Sequence, residues 1–221
     1  MILAVDATHE FGSLALAHEG RVVAERPLHA PDGFGHILFG RIQELLAWQG
    51  LALRDLHGFA SASGPGSFTG VRIGLACVKG LAEATGRPAF GVSNLQAIAW
   101  FGSTARRAVL LDARRGEIYG AVYDEACRIV SPEVVAKLPV WLAALSEPPQ
   151  EFLSPAIDVF APALAASAAA GVPRVRSPRA LAGAVGLLAE RQLAAGAAGD
   201  PAALDANYVR RSDAELFWRE P

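Results

Sequence analysis

Cysteine is almost absent: Cys77 and Cys127 are the only two in 221 residues, and neither stands at a metal-ligand or redox spacing. A disulfide framework and a cysteine metal site are therefore excluded, and both thiols read as core residues of a protein in a reduced compartment. Long apolar runs are also missing. Hydrophobic residues make up 52% of the chain, yet no run approaches the roughly 18 apolar residues that a membrane span needs. Ile2-Leu3-Ala4-Val5 leads directly into Asp6 without a basic flank or a cleavage signal, so a cytoplasmic protein with no membrane partner is expected. There is little excess of either charge: the formal net charge is −2, which offers a phosphate backbone no overall attraction. The pairs Arg106-Arg107, Arg114-Arg115 and Arg210-Arg211 have no aromatic residues between them and read as solvated surface. None of His9, His18, His29, His36 and His57 has a second histidine four positions along, so no helical metal face forms and no metal is expected. A Gly-x-Ser-x-Gly nucleophile turn is lacking as well.

Periodicity supplies the architecture. Ile2 to Val5, Ser13 to His18 and Arg21 to Glu25 read as three strands, the last two joined at Glu19-Gly20. From His36 to Gln49, Leu38, Ile42, Leu45 and Leu46 recur at helical spacing, and Gly50 stops the run. A strand over Gly58 to Ser63, a glycine-rich turn, a helix from Thr69 to Ala84 and a strand over Ala89 to Val92 follow. The pattern then restarts, because Val109-Leu110-Leu111-Asp112-Ala113 repeats Leu3-Ala4-Val5-Asp6-Ala7, with Gly116 and a strand to Tyr123 after it. This predicts an α/β chain of two lobes, each with a β-meander sheet and helices, in the manner of the actin and sugar-kinase architecture. The division falls at 1–100 and 101–221, with the final helix packing back on the first lobe. Beyond residue 135, Val140 to Leu145 and the stretch with Leu181, Ala184, Val185 and Leu188 read as helices.

The segment Gly64-Pro65-Gly66-Ser67-Phe68-Thr69-Gly70 falls between a strand and a helix. Backbone N–H groups there could receive an anion; equally, the glycines could permit close backbone packing while Ser67 or Thr69 caps the helix. Gly-x-Gly-x-x-Gly fails because position 69 is Thr, and the P-loop fails because no Gly-Lys-Ser/Thr follows. Gly66, Gly70 and Gly74 form a stripe of small residues, and a helical glycine costs about 1 kcal/mol relative to alanine, so Gly74 and Gly80 imply a close neighbour, internal or from a partner.

Together these residues resemble the TsaB family, also called YeaZ. The match runs through Ile2 to Thr8, His36, Gly64-Pro65-Gly66-Ser67-Phe68-Thr69-Gly70-Val71-Arg72-Ile73-Gly74 and Leu111-Asp112-Ala113-Arg114-Arg115-Gly116-Glu117-Ile118-Tyr119, with Tyr208-Val209-Arg210 near the end. The resemblance implies a duplicated actin-like fold and a non-catalytic scaffold in the bacterial machinery that places threonylcarbamoyl on adenosine 37 of tRNA. It implies pairing with the catalytic paralogue TsaD and with the ATPase TsaE, a homodimer through the same surface, and contact with tRNA only through the complex. No cofactor is implied as a requirement, although weak ATP or ADP binding is compatible with it. The implied interface uses the first-lobe helices, with Leu38, Ile42, Leu45 and Leu46 on one and Val71, Gly74, Val78 and Leu81 on the other. Ser154-Pro155-Ala156 departs from a frequent Gly-x-Gly, and Ala206 replaces a usual proline. A second hypothesis is a nucleotide-binding phosphotransferase or hydrolase of the same fold, using Asp6 and Asp112 with magnesium; strand-end aspartates also cap turns.

Overall fold

A computed structural model describes residues 1–210; Arg211, the second member of the last basic pair, lies outside them. The chain forms two compact units, Met1–Ala97 with Pro178–Ala206, and Ile98–Ser177 with the segment that begins at Asn207. The sequence reading cuts the chain once, near residue 100, and sends the final helix back to the first lobe. In the structure the whole of 178–206 belongs with the first unit.

In the first unit β1 (Ile2–Asp6), β2 (Phe11–His18) and β3 (Arg21–His29) form an antiparallel meander, and β4 (Gly58–Ala62) and β5 (Ala89–Val92) add in parallel on the far side of β1. The order is β3-β2-β1-β4-β5. β1 is buried throughout, as expected of a strand covered on both faces and apolar at successive positions. Leu3, Val5, Leu14 and Leu16 enter the core with α1 (Leu38–Trp48) and α2 (Phe68–Thr85). The alternate residues Ala4 and Ala17 are small because α6 (Ala182–Ala194) crosses there, and a Cβ on Gly186 would lie 2.9 Å from that of Ala17. The Ser13 hydroxyl accepts from the Leu181 and Ala182 N–H groups, and Glu25 accepts from Gly183 N–H, so the start of α6 is capped from the sheet.

The second unit repeats the plan. β6 (Arg107–Asp112), β7 (Ile118–Tyr123) and β8 (Ile129–Ala136) form the meander, with β9 (Glu151–Ser154) and β10 (Arg174–Arg176) parallel beyond β6, in the order β10-β9-β6-β7-β8. Its core gathers Leu110, Val122, Phe152, Trp141 of α4 (Leu138–Ala144) and Phe160 of α5 (Ile157–Ala165). Buried Glu151 accepts from Ser103 and Thr104 N–H and lies 3.9 Å from buried Arg107, which itself donates to the Ala99 carbonyl. Near the end of the described chain, Arg210 donates to the Ala113 carbonyl and to Glu117 at 2.6 Å. A short α3 (Asn94–Ala99), β9, α5 and β10 are elements that the sequence reading does not contain. Among the described residues no helix is long and apolar enough to cross a membrane.

Candidate functional site

Two features of the first unit carry the residues singled out by sequence: the turn ahead of α2 and the outward faces of α1 and α2. At the turn, Asp6 ends β1 and is buried. Its Oδ1 accepts from Thr8 Oγ1 at 2.6 Å and from Thr8 N–H at 3.0 Å. Asn94 donates to Thr8 Oγ1 at 2.6 Å and accepts from Gly64 N–H at 2.9 Å, while Asn94 N–H returns to the Gly64 carbonyl. Burial pushes the Asp6 carboxyl above the usual carboxylate range, opposed in part by the bonds from Thr8. The sequence reading missed Thr8 and Asn94 as members of this network; Thr8 only closes the matched segment that begins at Ile2, and Asn94 lies in α3, in no motif.

The glycines of this turn serve close packing. A Cβ on Gly66 would meet the Thr8 carbonyl oxygen at 2.7 Å, one on Gly70 would collide with the Ala7 carbonyl, and one on Gly74 would meet Ser61 Oγ at 2.7 Å. Gly64 has φ of +104° and precedes Pro65 through a cis bond, a backbone that glycine alone adopts readily. Three N–H groups of the turn are engaged within the chain: Ser67 N–H donates to the Thr8 carbonyl, Gly70 N–H to Ser67 Oγ at 3.2 Å, and Gly64 N–H to Asn94. Ser67 is thus the helix cap, and the close backbone packing expected of these glycines is present. Exposed Phe68 lies beneath the Arg72 guanidinium, 3.6 Å from the ring centroid.

Asp112 occupies the matching position at the end of β6 but is exposed, and accepts from Arg114 N–H at 2.8 Å. Arg114, Arg115 and Gly116 follow with φ of +64°, +57° and +75°. His36 is exposed just ahead of α1. Burial pushes the Cys77 thiol up to about 12. Among the described residues no group of three His, Cys, Asp or Glu side chains is placed to hold a metal ion.

The proposed interface residues need correction. Leu38, Ile42, Leu45, Leu46, Val71, Gly74, Val78 and Leu81 are all buried, and they line the inner faces of α1 and α2 against their own sheet. Helical apolar periodicity identifies the face a helix turns to its own core before any other. The outward faces carry different residues: His36, Phe39, Gly40, Gln43 and Ala47 on α1 and its approach, and Thr69, Arg72, Ala76 and Gly80 on α2, with Ile73 half-buried. Phe39 is 55% exposed. Gly40 and Gly80 lie inside helices, and a methyl group added at either would have nothing within 4 Å, so no internal contact explains them. A lone Phe and scattered alanines carry little periodic signal, which is why sequence reasoning passed over this face.

The geometry defines a class: an α/β protein of duplicated actin-like plan, whose strand-to-helix turn in the first unit is packed against the end of β1 and bonded to Thr8 and Asn94. Comparison with known proteins narrows that class. The family model described as TsaD, tRNA N6-adenosine threonylcarbamoyltransferase, matches residues 26–167. The tRNA threonylcarbamoyladenosine biosynthesis protein TsaB of Escherichia coli is 36% identical over 148 residues, covering 61% of this chain and 64% of that one. The protein of the same name from Bacillus subtilis is 32% identical over 151 residues, covering 66% of each. The matched stretch therefore spans a little under two thirds of these curated relatives. The solved YeaZ of Pseudomonas aeruginosa superposes with a TM-score of 0.74 at 27% identity, covering 94% of this chain and 98% of that one. The chain belongs to the TsaD family and, within it, to the TsaB (YeaZ) group.

Proposed function

We propose that this chain is a docking subunit of the machinery that installs threonylcarbamoyl on adenosine 37 of tRNA. It joins a TsaD-like catalytic paralogue through the outward faces of α1 and α2 and works with a TsaE-like ATPase. The observation that carries the docking role is the pair Gly40 and Gly80. Each sits inside a helix at about 1 kcal/mol below alanine, each opens onto solvent, and each neighbours small or aromatic exposed residues. Such a face suits another helix at close backbone approach, and the same face suits a second copy of this chain. The names of the relatives support the pathway. The non-catalytic role is supported by the closed turn, since the N–H groups of Gly64, Ser67 and Gly70 and the buried Asp6 are satisfied within the chain. On this reading no nucleotide of its own is required, and ATP or ADP binds weakly at most.

The test combines the purified chain with its paralogue, the ATPase and a supply of threonylcarbamoyl-adenylate, and measures modified tRNA. Phe39→Arg with Ala76→Arg is expected to weaken association about a hundredfold and to remove modification, because unpaired charge is placed in a buried contact, while circular dichroism stays that of the folded chain. Modification in the absence of the chain, or undiminished with this variant, overturns the reading. Leu45→Arg with Val78→Arg is expected to unfold the first unit instead, since both side chains are fully enclosed.

A further inference from the structure

A pocket of about 220 Å³ opens between β3 and α1, on the face of the first sheet that α1 covers. Its lining is of two kinds. Leu14, Leu28 and Ile37 give an apolar floor continuous with the core of the unit, while Arg26 from β3 and Arg41 and Glu44 from α1 stand at its mouth, half-exposed. Arg26 and Leu28 are two apart on β3, so both turn to the α1 side. The charges at the mouth do not balance. Arg41 donates to Glu44 at 2.8 Å, and Arg26 stands 3.9 Å from the same carboxylate, beyond hydrogen-bond distance. Two guanidinium groups thus share one carboxylate, and one positive charge is left over among the three. Arg26 is steadied instead by Trp48, its guanidinium lying 5.8 Å from the ring centroid.

We propose that this pocket binds a small organic monoanion, headed by a carboxylate and carrying a short apolar body. A carboxylate fits the planar, two-pronged donor set that the Arg26 guanidinium offers, and it cancels the single surplus charge, which a phosphate dianion would overshoot. The body lies against Leu14, Leu28 and Ile37. Since a cavity of about 150 Å³ holds benzene, this volume suits a ligand of about nine non-hydrogen atoms. Glu44 takes no part in holding the ligand and competes with it for Arg41. Arg41, Glu44 and Trp48 recur at helical spacing on one flank of α1, and Gly40, Gln43 and Ala47 on the next. The pocket therefore stands apart from the docking face, and the proposal goes beyond the docking reading without resting on it.

The experiment follows the Arg26 side-chain N–H and Trp48 indole N–H resonances of the full chain by NMR while isocaproate is added. Both are expected to shift and to saturate with a Kd of about 1 mM, a weak affinity in keeping with half-exposed charges. Isocaproamide, of the same shape without the charge, is expected to bind at least about tenfold more weakly, and so is acetate, which has the charge without the body. Arg26→Gln, read on the indole, is expected to cost about tenfold as well. Glu44→Gln is expected to tighten binding about threefold, because Arg41 is released; a gain of this kind cannot come from a damaged fold. The absence of a saturable shift up to about 20 mM isocaproate overturns the proposal. So does isocaproamide that binds as tightly as isocaproate, inorganic phosphate that displaces isocaproate at equal concentration, or Glu44→Gln that weakens binding. The assay of modified tRNA is untouched by any of these results, so the docking reading stands or falls separately.

Discussion

The two sheets share one strand order, and each first strand ends in an aspartate that accepts an N–H from two residues on, but the surroundings of the two aspartates differ. Around Asp6 the connection from β4 to α2 is a glycine-rich turn pressed against the carbonyls of Ala7 and Thr8. After β9 only Pro155 and Ala156 precede α5, and Asp112 stays in contact with solvent. Burial follows the length and composition of that connection, and with it the fate of the carboxylate. One copy has become a closed polar network that holds α2 in place, and the other an open turn with two arginines. An aspartate at a strand end is therefore no sign of magnesium chemistry until its cover is known.

The largest expected effect comes from breaking that cover. Gly70→Ala sets a methyl against the Ala7 carbonyl, a backbone atom that cannot swing aside, and is expected to destabilise the first unit by about 3 kcal/mol. Gly116→Ala in the second turn has open space and only a positive φ to resist it, so about 1 kcal/mol is expected. Urea denaturation of both variants measures the contrast. Equal losses would show that the glycine-rich turn yields, and that its packing against β1 does not determine its sequence.

Much of this contrast was legible in the residues. The repeated pattern of an apolar run followed by Asp-Ala located both first strands, the alternating and helical periods located α1, α2 and the two meanders, and Ser67 was readable as a cap. The short elements β9, α5 and β10 were not, because three or four apolar residues beside proline and alanine match no period, and Pro162 interrupts α5. The residues expected at an interface turn inward for a general reason: Leu38, Ile42 and Leu45 satisfy the chain's own sheet, and what remains outside, Gly40, Ala47, Ala76 and Gly80, is defined by smallness. Asn94 could be found only in three dimensions, since its partner Thr8 lies at the opposite end of the first unit's sequence.

A smaller effect separates the two aspartates by pH. The ordinary carboxyl value for Asp6 is 3.8, and burial raises it in the fold. The unfolded chain therefore ionises first, the native state holds the extra proton, and stability falls as pH rises from 3.8 through the folded value. Asp6→Asn removes that loss. The difference in unfolding free energy between variant and wild type is expected to move in favour of the amide as pH rises above 3.8, as urea denaturation at a series of pH values measures. Asp112→Asn, on an exposed side chain, is expected to change stability at pH 7 by less than about 0.5 kcal/mol. A variant-to-wild-type difference at position 6 that is flat with pH would mean the buried network stabilises the ionised form as well as water does.

The smallest effect concerns the backbone of the open turn. Arg114 and Arg115 both hold positive φ, a conformation that costs an L-residue roughly 1–2 kcal/mol, whereas the turn after Asp6 contains no positive φ among its residues Ala7 to Glu10. Arg114→Gly relieves the strain at one position but gives the unfolded chain more freedom, about 0.5–1 kcal/mol of it, so a net gain of only about 0.5 kcal/mol is expected in urea denaturation. The Asp112 bond to residue 114 uses the backbone N–H and survives the change. A gain of that size would mean that the side chain at 114 is retained for something other than stability, since glycine would serve the fold better. A loss would instead mean that the arginine stem packs on the turn and offsets the strain of its own backbone.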